Sequence, residues 1–134
     1  MYERIDSDGE VVDLTLKILK KYSERFGHIH YDDMVFLYKF ADKSDWAGQC
    51  RLIKGVWEAI TDKKVMISLW HENWVKKSTS EKALLLFHEI CHIGYDDDKA
   101  KYTIIKHDVE DFREILREYG VDWEDSQKFL DNLK

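Results

Sequence analysis

Residues 78–94 read STSEKALLLFHEICHIG, and the fold turns on what this stretch becomes. Ser78 and Glu81 stand at capping-box spacing, where a hydroxyl and a carboxylate each satisfy a backbone N–H of a first helical turn. Ala83, Leu84, Leu86, Phe87, Ile90 and Cys91 supply apolar contacts at helical period. Gly94 occupies the position just past a helix end. The stretch is therefore predicted to be one helix. On it His88 and His92 lie about 40° apart around the axis, on one face, and Glu89 is turned about 100° from His88.

Outward from this helix, VMISLW (65–70) reads as a strand, as do MVFLYKF (34–40), QCRLIKG (49–55) and VWEAI (56–60), with DKSDWAG and TDKK as turns. Short consecutive strands with tight turns favour a small antiparallel sheet. Upstream, residues 7–27 form an amphipathic pattern with Val11, Leu14, Ile18 and Tyr22 on one stripe, widened by Leu19 and Phe26. Ser7 and Glu10 have capping-box spacing, and Gly27 is the expected stop. Downstream, YDDDKAKYTIIK reads as a connection with one short extended piece. HDVEDFREILREYG is expected as a helix capped by Asp108, with Asp111 at N3 and Gly120 at its end. VDWEDSQKFLDNLK is expected as a final helix capped by Asp122. Strands bunched between helices indicate an α+β domain, one unit over residues 1–134.

Composition narrows the classes of partner. The 134 residues carry a net charge of -6, with 44% hydrophobic and 13% aromatic residues. That balance allows a real core and disfavours broad binding to nucleic acid or anionic membranes. Cys50 and Cys91 are too few for a disulfide framework. MYERIDSDGE lacks the apolar run of a signal peptide, and MVFLY and ALLLF are too short to span a membrane. A cytoplasmic protein is expected.

Two imidazoles on one helical face can hold one zinc ion, which needs a third protein ligand and an open position to act in catalysis. The candidates after His92 are Asp96, Asp97, Asp98, His107, Asp108, Glu110 and Asp111. His107 is preferred. It stands at the mouth of the next predicted helix, and the fourteen residues between it and His92 suffice to reverse the chain. The three consecutive aspartates read as a solvated loop. Glu89 is placed to flank the open position and to take a proton from zinc-bound water. The strand 65–70 is expected at a sheet edge beside this helix, pairing with a substrate backbone. Met66, Ser68 and Trp70 would then share the contacting face.

HEICH, fourteen residues, His107 and then DVEDF resemble the SprT-like zinc metallopeptidases. They resemble the phage metallopeptidases more closely still, whose site helix is followed by a stretch like HDVEDF. The similarity covers about Lys64 to Phe112. It implies a zincin-like fold, one Zn2+ per chain on His88, His92 and His107, Glu89 as general base, a protein or peptide substrate, and phage or prophage origin. The alternatives are a zinc-binding phage protein without turnover, and an acidic module that binds a host protein.

The remaining polar and aromatic residues have plainer roles. Cys91 is expected in the core, and His28 and His30 as surface or locally bonded histidines. His71 is a minor candidate for the cleft. Tyr95 and Tyr102 are candidates to stabilise an oxyanion. Asp108 and Asp111 also qualify as outer partners of a ligand histidine.

Overall fold

The structure is a computed structural model that describes residues 1–5, 9–40, 47–106 and 126–133. The Ser7 cap, His107, Glu110, Asp111, the Asp108–Gly120 helix and Asp122 lie outside the described residues.

The chain is α+β. Strands β1 (Tyr2–Arg4), β2 (Met34–Lys39), β3 (Gly48–Leu52) and β4 (Val65–Trp70) form one sheet, and β5 (Ile93–Asp96) and β6 (Lys101–Ile104) form a hairpin. The described α-helices are α1 (Gly9–Lys21), α2 (His71–Val75), α3 (Thr79–Ile90) and α4 (Ser126–Leu133).

The capping box at the start of α3 forms as its letters dictate. Glu81 N donates to Ser78 Oγ at 3.2 Å, and Ser78 N donates to Glu81 Oε1 at 3.0 Å. The Ser78 N–H bond, and after it the Ser78 hydroxyl, hold the Glu81 carboxyl below its ordinary value. Ala83 to Phe87 are all buried, the mark of a helix enclosed by its neighbours rather than laid on a surface. Phe87 packs on Tyr22 and Phe26, with ring centroids 4.8 and 5.7 Å away. Lys82 of α3 reaches Glu10 of α1 at 2.7 Å.

Helix α3 is shorter than its apolar pattern predicts. It ends at Ile90, and His92 N bonds to Glu89 O at 3.1 Å in a tightened last turn. Gly94 is not its stop. It lies in β5 opposite Thr103, where a Cβ would sit 2.6 Å from Thr103 Oγ1 and 3.0 Å from Ile105 Cγ1. Its lack of a side chain admits the neighbouring strand. The aspartate run is the hairpin turn, with Asp96 Oδ1 accepting from Asp98 N and Lys99 N. Helix α1 likewise stops at Lys21, short of Gly27, although Val11, Leu14 and Ile18 are buried as the stripe predicts.

The sheet is mixed, not antiparallel. Its order is β1-β2-β4-β3, with β2 and β4 parallel and the outer pairs antiparallel. Turn residues mark where strands end, but not that β3 leaves a gap for β4 to enter beside β2. Consequently Val65–Trp70 is an interior strand, paired on both sides, and not an edge. VWEAI is not a strand either. Gly55 at φ 67 turns the chain out of β3, and Gly55–Ala59 is a 3-10 turn with every residue exposed.

Ser78→Ala removes the hydroxyl half of the capping box. Urea unfolding should show a loss of about 1 kcal/mol, and Glu81→Gln should lose part of the same contribution. The Glu81 contribution is present above the ordinary glutamate range and fades as pH falls through its lowered value.

Candidate metal centre

Helix α3 delivers His88 and Glu89 on its last turn, and the tightened turn after it delivers His92. One ligand atom from each of these three side chains lies within 4.8 Å of the others. The two imidazoles stand nearly perpendicular, with centroids 5.2 Å apart and planes at 80°. Four-residue spacing survives the end of the helix because Cys91 N still bonds to Phe87 O, at 3.0 Å.

His92 is fixed from behind. Its Nδ1 lies 2.6 Å from the Ile105 carbonyl, while Ile105 N donates to the His92 carbonyl at 2.7 Å. A carbonyl only accepts, so Nδ1 is the donor in this contact, which fixes the ring tautomer. YDDDKAKYTIIK is expected as a connection with one short extended piece, which is β6, but Ile105 itself carries no signal, because a backbone carbonyl has no letter of its own.

Glu89 is 4% exposed, and its Oε2 has no hydrogen-bond partner among the described residues. Burial raises its carboxyl to about 7. A second wall comes from β3. A Cβ on Gly48 would lie 3.3 Å from Glu89 Cγ and 3.5 Å from Oε1. The absent side chain therefore leaves the carboxylate its room. Two residues along β3, burial first and the Glu89 charge second push the Cys50 thiol up to about 12. Gly48 closes the stretch DKSDWAG that reads as a turn, and it is instead the first residue of β3.

Two imidazole nitrogens and an unpartnered, buried carboxylate oxygen fit a divalent cation. An ion there would offset the cost of keeping that oxygen out of water. The nitrogen-rich donor set suits zinc better than calcium or magnesium, which favour oxygen ligands.

The other predicted residues are placed elsewhere. Met66, Ser68 and Trp70 lie on interior β4, whose backbone is already paired to β2 and β3. Tyr95 and Tyr102 face each other across the hairpin with centroids 5.3 Å apart. The Tyr102 hydroxyl donates to Asp33 Oδ2 at 2.7 Å and accepts from His30 N at 3.3 Å. Burial and the Asp33 bond push it up to about 12. Both tyrosines line a cleft of about 880 Å3 with His28, His30 and Asp33, a cleft whose walls do not include His88, Glu89 or His92. His28 Nε2 bonds not to a local partner but to the Ile93 carbonyl, 65 residues away in sequence, at 2.8 Å. His71 packs on Tyr38 and Phe40. Cys91 is buried among core residues.

A family model described as "Putative phage metallopeptidase" matches residues 3–134. No curated protein and no solved structure matches the chain.

The raised Cys50 thiol makes a checkable statement about this wall. At pH 8 the native chain holds Cys50 as a thiol, while the unfolded chain holds a substantial thiolate fraction, the reactive form. Iodoacetamide should label Cys50 at least about tenfold more slowly in the native protein than in urea, followed by peptide mass spectrometry. The sign for stability follows. The contribution is intact below the unfolded thiol value and is lost as pH rises toward about 12.

Proposed function

We propose, since the chain belongs to the phage metallopeptidase family, that residues 1–134 form one zincin-like, SprT-like domain that hydrolyses peptide bonds with a single zinc ion. The observation that carries this reading is the buried Glu89 carboxylate, whose Oε2 has no hydrogen-bond partner among the described residues, beside two imidazoles within 4.8 Å.

His88 and His92 supply two ligands and His107 the third. Support for His107 comes from Ile105, two residues earlier, whose carbonyl is 2.6 Å from His92 Nδ1. The chain thus returns to the site just before that histidine. Bound zinc would supply a Lewis acid for the scissile carbonyl and lower the pKa of water at the site. Glu89 does the proton work. Its carboxylate takes a proton from the attacking water and passes it to the departing amine nitrogen. Burial raises this carboxyl to about 7 in the metal-free chain, and a cation held by the histidines would draw it back toward the ionised form that accepts a proton. The Ile105 carbonyl holds the His92 ring in register throughout.

Substrate recognition belongs to β3 rather than β4. Among the described residues β3 pairs only with β4, so its outer edge keeps main-chain donors and acceptors for an extended peptide. Its first residue, Gly48, abuts Glu89.

Glu89→Gln should keep its zinc and lose turnover by about 10²–10⁴-fold on a denatured protein substrate. His107→Ala should lose most of its zinc in elemental analysis. Wild-type cleavage rates in Glu89→Gln would refute the role of Glu89, and full zinc in His107→Ala would refute the ligand set. Ligand histidines must be neutral, so zinc should leave as pH falls to about 4, with a drop in melting temperature. Retained zinc with no cleavage of any protein would identify a zinc-binding protein instead.

A further inference from the structure

Val56, Trp57 and Ile60 are 74%, 62% and 68% exposed. They sit on and just after the 3-10 turn between β3 and β4. The sequence presents them as strand residues to be buried, and the fold leaves them in water. Single exposed apolar side chains are ordinary, but three large ones gathered on one turn mark a contact surface.

Their position restricts what covers them. Strand β3 starts at Gly48, against the Glu89 carboxylate, and ends at Leu52, with only Ile53 and Lys54 before the turn. Among the described residues the outer edge of β3 is unpaired along this whole course. A polypeptide extended on that edge from the carboxylate reaches the turn after about seven residues, or about 23 Å. A lipid surface is a poorer occupant. It makes no use of a line of backbone donors and acceptors, and a chain of net charge -6 is repelled by anionic headgroups.

We infer that the turn carrying Val56, Trp57 and Ile60 is an exosite for unfolded polypeptide, taking apolar side chains about seven residues from the bond that is cut. This rests on the peptidase reading and deepens it. The substrate is an extended, apolar-bearing segment long enough to span both the carboxylate and the turn. A peptide of three or four residues does not reach.

The test measures binding, so turnover does not enter it. Fluorescently labelled, reduced and carboxymethylated α-lactalbumin serves as the unfolded probe, titrated with the zinc-loaded Glu89→Gln chain. The same titration uses that chain carrying Val56→Ser, Trp57→Ser and Ile60→Ser, with melting temperature as the check on folding. The expected result is binding that weakens at least tenfold in the turn variant at unchanged melting temperature. In the Glu89 background, the turn variant should raise KM for the same protein and leave kcat for a tetrapeptide unchanged. Equal binding by both chains, or binding by neither, overturns the inference. So does a turn variant that loses association only with vesicles of neutral or anionic phospholipid. A wild type that binds the probe through the turn and cleaves nothing overturns the peptidase reading and upholds the exosite.

Discussion

The reciprocal bonds between His92 and Ile105 organise this part of the molecule. One is a backbone bond of 2.7 Å that extends the hairpin past β6, and the other uses the imidazole ring at 2.6 Å. Together they set the tautomer of His92, hold its ring plane, and bring the chain back to the end of α3. A histidine left in the turn beyond a helix would otherwise sample several rotamers. Here the same contact that finishes a β-ladder removes that freedom, so secondary structure and ligand geometry are not separable at this point.

Glu89 shows the opposite balance. Its surroundings do not satisfy it. The carboxylate is buried beside the glycine end of β3, and one oxygen lacks a partner. Such a group is unfavourable for the chain alone. It persists because the surrounding core, Ala83 to Phe87 on the same helix and the sheet beside it, is well enough packed to carry it. Local unfavourability at one carboxyl, in a region otherwise closed and apolar, is what a functional site looks like physically.

Much of this was legible in the letters, for a specific reason. The capping box, the buried run of α3 and the spacing of His88, Glu89 and His92 depend on residues no more than four apart. Strand 65–70 was visible because its apolar run is short and bounded by turn residues. The order of the sheet was not visible, since it depends on β4 entering between two earlier strands. VWEAI was misread because alternation implies burial only where a neighbour covers it, and Gly55 turns the chain away from any. Strand β1 is three residues of mixed polarity with no signal to read. In the site, two imidazoles and a carboxylate announced themselves. Gly48 and the Ile105 carbonyl act through the absence of a side chain and through the backbone, and neither writes a motif.

The interior place of β4 has a consequence in time. Strands β2 and β3 are both made before it, yet neither pairs with the other. Until residues 65–70 leave the ribosome, β3 has no partner in the sheet, and the wall that Gly48 and Cys50 form beside Glu89 has nothing to hang on. The histidines follow later still, and Ile105 after them. Because β2 and β4 pair residues 31 apart in sequence and Gly48 meets Glu89 41 residues on, loop closure makes the site a late product of folding. A nascent fragment therefore holds pieces of the His88–Glu89–His92 cluster and its walls without the assembled site.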